Sequence, residues 1–167
     1  MGIVGEFNNN LKDLEKITAP SLMNSLPSDS QVIGAVNRSV PENTIVIGAA
    51  GSMPGELHKL WKVLDQNTYH MEYGYSCMGY EISAGIGVNL ATPNRPNVVF
   101  SGDGSYLMMN SELATAAMMG ISMTLILTNN KGYGCINRLQ KATGGAEFNN
   151  LFSCLLYTSP SPRDKRQ

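Results

Sequence analysis

The chain has 167 residues, 43% of them hydrophobic and 15% charged, which suits one core or one piece of a larger protein. Its formal net charge of −1 at pH 7, without a basic stripe, argues against a nucleic-acid partner. No apolar run is long enough to span a membrane and no secretory pattern is present, so we expect a cytoplasmic protein without a membrane partner. The three cysteines match neither a zinc pattern nor a disulfide framework, and we interpret them as reduced thiols.

The first segment, residues 1–27, contains a run of Asn and two prolines, and it is predicted to be a linker with one helix around residues 11–17. A helix is predicted from residue 29 to about residue 40, because apolar residues recur there at helical spacing and Pro41 follows them. Residues 44–47 then predict a strand.

The loop 48–55 leads from this strand into a second helix, which completes a strand-to-helix unit. The apolar positions of that helix are Leu57, Leu60, Trp61 and Leu64. Residues 79–90 predict a helix rich in small residues, and residues 98–100 predict a buried strand.

The next helix is predicted to be capped by Asn110 and Ser111 and to end at Gly120, and residues 122–127 predict another strand. Short apolar strands that alternate with helices indicate a parallel sheet covered on both faces. The predicted fold class is therefore α/β, a doubly wound parallel sheet, with ligands beyond the carboxyl ends of its strands.

Two polar motifs follow neighbouring strands of this sheet. Residues 102–105 read Gly-Asp-Gly-Ser, and residues 129–132 read Asn-Asn-Lys-Gly, with Asp103 and Asn130 27 positions apart. Each motif alone has a simpler explanation, because Asp-Gly is common in turns and Asn often follows a strand. Together they place hard oxygen ligands at adjacent strand ends, which suits Mg²⁺ that holds a diphosphate.

The two motifs together resemble the pattern of thiamine-diphosphate enzymes. The resemblance implies that the side chains of Asp103 and Asn130 and the carbonyl of Gly132 ligate Mg²⁺. It also implies that the cofactor's phosphates contact the first motif and the residues that directly follow the second. The residues concerned are Gly102, Gly104, Ser105, Gly134 and Cys135.

A narrower resemblance rests on three segments, residues 49–59, 71–82 and 134–150. They resemble 3D-(3,5/4)-trihydroxycyclohexane-1,2-dione hydrolase, the ring-opening enzyme of myo-inositol catabolism. The likeness implies a homo-oligomer with cofactor sites between subunits. It also implies that two further loops contact thiamine diphosphate. Their residues are Gly51, Ser52, Ser76 and Met78, of which Met78 would bend the cofactor and is otherwise ordinary core.

The implied activity is cleavage of the bond between the two carbonyls of a cyclic dione, with water releasing 5-deoxy-glucuronate. His70 and Glu72, together with His58, are the nearby titratable candidates for proton transfer, and each could equally be structural. Ile136 stands where related decarboxylases have a glutamate, which disfavours simple decarboxylation of 2-oxo acids. Two alternatives remain open: another thiamine enzyme, of the acetolactate synthase or decarboxylase type, and an inert diphosphate-binding module.

The resemblance also implies that the chain is a fragment. We expect residues 28–153 to be a C-terminally truncated thiamine-diphosphate-binding domain, which lacks the pyrimidine-binding domain and its activating glutamate, and we expect the fragment alone to be inactive. Residues 154–167 resemble a translated sequencing adapter and are interpreted as non-native. The alternative is a native tail rich in Pro and Ser.

Overall fold

Four parallel strands form one sheet in the order β2-β1-β3-β4 in this computed structural model, which describes residues 12–20, 26–146 and 150–151. The strands are β1 (Ile45–Gly48), β2 (Tyr69–Met71), β3 (Asn97–Gly102) and β4 (Thr124–Thr128). The helices are α1 (residues 12–17), α2 (Asp29–Ser39), α3 (Ser52–Leu60), α4 (Tyr80–Ala91), α5 (Asp103–Met109), α6 (Glu112–Met118) and α7 (Gly134–Ala142).

The alternation of side chains along the strands builds a core on each face of the sheet. On one face, Val46, Val98 and Phe100 pack against α2 and α3. Those helices contribute Ile33, Met53, Leu57 and Leu60. On the other face, Ile45, Ile47 and Val99 pack against α4 through Ala84. Both faces are covered, which confirms the predicted doubly wound α/β fold.

The first described segment packs against this body. Leu14 lies against the core formed with α2 and α3, and Arg38 of α2 donates a 3.1 Å hydrogen bond to the Thr18 carbonyl. The predicted helix at this place is confirmed over residues 12–17. The segment that we predicted as a linker thus contributes contacts to the fold.

The second predicted helix needs a correction. It begins at Ser52, inside the predicted loop, and ends at Leu60, so Leu64 is not helical and is 57% exposed. Gly51 precedes the helix with a φ of 113°, a conformation that favours glycine. Pro54 lies in the first turn, where its missing N–H has no intrahelical partner to lose.

The predicted helix caps are partly wrong. Asn110 and Ser111 have helical backbone angles and make no capping hydrogen bond, because α5 occupies the preceding residues and the chain turns directly into α6. Gly120 does end α6, with a φ of 67°, and Ile121 N–H then bonds to the Ala116 carbonyl at 2.9 Å. Strand β2 was not predicted at all, since three residues carry too little periodicity.

Some predictions fall outside the described residues. The interpretation of residues 154–167 is one, and the state of Cys154 is another. Cys77 and Cys135 are both free thiols, as predicted.

Two glycines of α4 test the packing of this helix on the sheet. A Cβ at Gly85 would lie 2.7 Å from Val99 Cγ2, whereas a Cβ at Gly87 would meet no atom within 4 Å. We expect Gly85→Ala to lower the free energy of unfolding by about 1–3 kcal/mol through overpacking. Gly87→Ala should leave it unchanged or raise it by up to about 1 kcal/mol through helix propensity. Equal effects in a urea titration would contradict the packing described here.

Candidate active site

The segments that follow the four strands enclose a cavity of about 300 Å³, which we call the strand-end cavity. Because the strands are parallel, their carboxyl ends meet at one edge of the sheet, and the loops that follow them converge there. All nine predicted cofactor-binding residues line this cavity: Gly51, Ser52, Ser76, Met78, Gly102, Gly104, Ser105, Gly134 and Cys135. Asn130 and Gly132 line it as well.

Three oxygen-bearing groups meet next to this cavity, which Asn130 and Gly132 line and Asp103 does not. The Asp103 side chain is 0% exposed, and its Oδ2 accepts a 2.7 Å hydrogen bond from the Gly132 N–H. One end of the Asn130 amide lies 2.7 Å from the Gly132 carbonyl oxygen and 3.1 Å from Asp103 Oδ1. That end faces two acceptors. It is therefore either the amide nitrogen, which donates to both, or the amide oxygen, with a cation held among the three oxygens.

This oxygen set fits a small divalent cation. An octahedral Mg²⁺ with ligands at about 2.1 Å has neighbouring ligands about 3 Å apart, and the distances of 2.7 and 3.1 Å bracket that value when this end of the amide is the oxygen. Among the described residues there is no group of three His, Cys, Asp or Glu side chains that could hold a metal. A site with one carboxylate, one amide and one carbonyl suits a hard cation that also binds phosphate oxygens.

The loop after β4 owes its shape to two residues with positive φ. Lys131 has a φ of 64° and Gly132 a φ of 140°, a value that only glycine adopts readily. Tyr133 N–H donates a 2.7 Å hydrogen bond to the Asn150 carbonyl, and Gly132 forms a bridge with Leu151. This loop therefore turns the Gly132 carbonyl and N–H toward Asp103 and Asn130.

A close approach between two loops makes Gly104 necessary. A Cβ at this position would lie 2.7 Å from the Tyr133 ring and 3.2 Å from the Gly132 carbonyl oxygen. Tyr133 also lines the strand-end cavity, and sequence reasoning missed it. Its place between Gly132 and Gly134, which were predicted to contact the metal and the cofactor, was the available signal.

Glu72 supports the loop that carries Ser76 and Met78. Its carboxylate accepts hydrogen bonds from the N–H groups of Cys77, at 2.7 Å, and Tyr75, at 2.9 Å. The bond from the Cys77 N–H is the largest cause that lowers the pKa of the Glu72 carboxyl from its ordinary 4.5, and the bond from Tyr75 is the next. Ser76 has a φ of 51°, a strained value for a serine, and the bonds to Glu72 hold the loop in that conformation.

The predicted proton-transfer residues do not line the strand-end cavity. His70 lies on β2, where its Nε2 is 2.7 Å from the Tyr80 hydroxyl and its ring stacks on Tyr80 with centroids 5.9 Å apart. His58 is exposed on α3 and meets the Tyr73 ring edge-on at 5.6 Å. Catalytic roles for His70 and Glu72 stay predictions.

A buried carboxyl group that the sequence did not single out lies next to the cavity. Glu81, in the first turn of α4, is 1% exposed, and its Oε1 is 2.7 Å from Ser105 Oγ. The Ser105 oxygen also accepts a 2.8 Å hydrogen bond from the Gly79 N–H. Burial is the largest cause that raises the pKa of the Glu81 carboxyl above its ordinary value.

A parallel α/β sheet with a glycine-lined cavity at its carboxyl edge, next to the N-terminus of helix α7, has the arrangement of a phosphate-binding α/β domain. Residues 49–159 match the family model of the thiamine pyrophosphate enzyme C-terminal TPP binding domain, and the chain belongs to this family. The match reaches residue 159, inside the segment that we interpret as non-native.

Three relatives share the description 3D-(3,5/4)-trihydroxycyclohexane-1,2-dione hydrolase. The protein of Geobacillus thermodenitrificans is 50% identical over 70% of this chain and 18% of its own length. That of Clostridium tetani is 48% identical over 75% of this chain and 19% of its own. That of Bacillus anthracis is 41% identical over 90% of this chain and 22% of its own. The chain therefore spans about a fifth of the length of these relatives.

A solved structure shares the fold. It is the Rhodococcus jostii RHA1 thiamine diphosphate-dependent 4-hydroxybenzoylformate decarboxylase, with a TM-score of 0.72 and 23% identity. The likeness covers 84% of this chain and 27% of that one. Within the described part of the chain, no helix is both long and apolar enough to cross a membrane.

The role of Glu72 can be tested through pH. Its depressed pKa means that its contribution to stability is fully present above pH 4.5 and is lost as the pH falls through the folded-state pKa. We expect Glu72→Gln to lower the melting temperature at pH 7, and the difference from the wild type to narrow below pH 4.5. Glu56→Gln is the control, because its partner Lys59, at 3.3 Å, is largely exposed. A constant difference at every pH would contradict the account.

Proposed function

We propose that this chain is the cofactor-diphosphate part of a Mg²⁺- and thiamine-diphosphate-dependent hydrolase. In this proposal the complete protein opens the ring of trihydroxycyclohexane-1,2-dione to 5-deoxy-glucuronate in inositol catabolism. The names of the relatives that are 41–50% identical support the substrate. The observation that carries the proposal is the contact of buried Asp103 with Asn130 and Gly132, which both line the cavity together with every predicted cofactor-binding residue.

The chain's own groups bind and orient in this proposal. Asp103 Oδ1, Asn130 Oδ1 and the Gly132 carbonyl would hold Mg²⁺. The N–H groups of Gly134 and Cys135 begin helix α7 and face negative charge favourably. Thiamine diphosphate, when bound, supplies a carbon nucleophile and electron sink for breaking a bond between two carbonyl carbons.

The other half of the cofactor would lie against Met78 and Ser76. Met78 lines the cavity and is half-buried, so its side chain is available to a ligand as well as packed. The Glu72 carboxylate keeps this loop in place through its two hydrogen bonds. No His, Asp or Glu lines the cavity, so we assign the residues that do line it to binding and positioning.

The proposal extends to assembly and location. Ile136 and Leu139 line the cavity yet are 45% and 61% exposed, and Tyr75 of the neighbouring loop is 91% exposed. Apolar side chains around the mouth of a cavity suit a second subunit. We therefore propose a homo-oligomer with its sites between subunits, and we keep the cytoplasmic location as the expectation from the sequence.

The activity is tested with the full-length protein that contains this chain. Incubation with the cyclic dione, Mg²⁺ and thiamine diphosphate should release the open-chain acid, and 2-oxo acids such as pyruvate should not be consumed. Ile136 supports the second expectation, because an apolar residue at that place supplies no carboxyl group to the cavity. Turnover of pyruvate without ring opening would favour a thiamine enzyme of the acetolactate synthase or decarboxylase type.

The metal assignment predicts the effect of two substitutions. Asp103→Ala and Asn130→Ala should weaken Mg²⁺-dependent binding of thiamine diphosphate more than about 100-fold, because each removes a ligand oxygen. Asn129→Ala is the matched control, since the Asn129 side chain accepts a hydrogen bond from Lys131 N–H and lies outside the cavity. Wild-type affinity in either ligand variant by titration calorimetry would refute the assignment.

A different result is expected for Met78. Met78→Ala should lower kcat by about 10–100-fold and change the cofactor Kd little, because its proposed role is to hold a conformation and not to anchor the diphosphate. Met118→Ala, at a side chain that is 88% exposed on α6, should change neither quantity. If kcat of the Met78 variant stays at the wild-type value, Met78 is ordinary packing.

A further inference from the structure

Ser105 is joined to two groups of the first turn of α4. Its Oγ accepts a 2.8 Å hydrogen bond from the Gly79 N–H and lies 2.7 Å from Glu81 Oε1. Ser105 is itself buried and lines the strand-end cavity, whereas Glu81 does not line it. Ser105 therefore links Glu81 to the cavity.

The surroundings of Glu81 disfavour a negative charge. The side chain is 1% exposed, its Oε2 is buried without a hydrogen-bond partner, and none of the ion pairs among the described residues includes it. Burying an ionised carboxylate without a counter-charge is costly, and the raised pKa of this carboxyl agrees with that cost. The neutral acid carries one O–H donor, which an ionised carboxylate lacks.

The position of that hydrogen decides whether the Ser105 hydroxyl can donate a hydrogen bond to a ligand. A hydroxyl group has one donor and two acceptor sites, and the Gly79 N–H occupies one acceptor site. If the neutral Glu81 donates to the second acceptor site, the Ser105 hydrogen is free to point into the cavity. If Glu81 Oε1 instead accepts a hydrogen bond from the Ser105 hydroxyl, Ser105 has no donor left for a ligand.

We propose that Glu81 is a positioning residue: as a neutral acid it donates to Ser105 Oγ and thereby directs the Ser105 hydroxyl as a donor toward the anionic diphosphate of the cofactor. The proposal rests on the proposed function and adds a residue that does not touch the ligand. It also explains the position of Ser105 in α5, where the residue contacts the Gly79 N–H and Glu81 on one side and the cavity on the other.

The test uses the full-length protein and calorimetric titration with thiamine diphosphate and Mg²⁺. Glu81→Gln keeps a neutral donor for Ser105, so its Kd should stay within about twofold of the wild type. Glu81→Met keeps the size but removes the donor, and Ser105→Ala removes the hydroxyl, so each should weaken binding about tenfold or more. The double variant Glu81→Met/Ser105→Ala should bind no more weakly than Ser105→Ala alone.

A purely structural role for Glu81 predicts another pattern. The loss in the Glu81→Met variant would then follow the fall in its melting temperature and would add to the loss from Ser105→Ala. That additivity overturns the proposal. If Glu81→Met does not fold, the other two single variants decide: Glu81→Gln as weak as Ser105→Ala overturns the proposal, and wild-type affinity supports it. A wild-type protein that binds no thiamine diphosphate would refute the proposed function as well, whereas a failure of the Glu81 pattern alone leaves that function standing.

Discussion

The structure around the site depends on one constraint, the approach of the Asp103 carboxylate to the loop after β4. Asp103 accepts a hydrogen bond from the Gly132 N–H, and the Asn130 amide faces both the Gly132 carbonyl and Asp103. Three oxygens at such spacings repel one another unless a donor or a cation lies between them. The positive φ of Gly132, the small size of Gly104 and the burial of Asp103 are each required for this approach.

The parallel sheet makes that approach possible. All four strands run in one direction, so the segments that follow their carboxyl ends converge at the same edge of the sheet. Covering both faces with helices buries Val46 and Phe100 on one side and Ile47 and Val99 on the other, which fixes the register of β3 against its neighbours. The cavity is thus a consequence of strand direction, and its chemistry follows from the residues that end each strand.

The sequence allowed the fold class and more than half of the cavity's lining residues to be predicted, because these depend on local patterns: apolar strand-length runs and polar residues directly after them. The features that depend on tertiary contacts could not be predicted from the sequence. Strand β2 has three residues and gains its identity from pairing with β1. His70 sits beside Tyr80 because of that pairing, so nearness in sequence to the cofactor loop did not bring it to the cavity. Glu81 looked like an ordinary helix residue, since burial and the contact with Ser105 arise only when α4 packs beside α5.

The central claim is that Asp103, Asn130 and the Gly132 carbonyl together hold the divalent cation that carries the cofactor's diphosphate. Anomalous diffraction from crystals of the full-length protein grown with Mn²⁺ and thiamine diphosphate tests this most directly, because the peak marks the metal itself. We predict one strong peak within coordination distance of all three oxygens, with the Asn130 Oδ1 and not its nitrogen turned to the metal. A peak elsewhere, or an Asn130 nitrogen that donates to Asp103 while the cofactor is bound, would contradict the account.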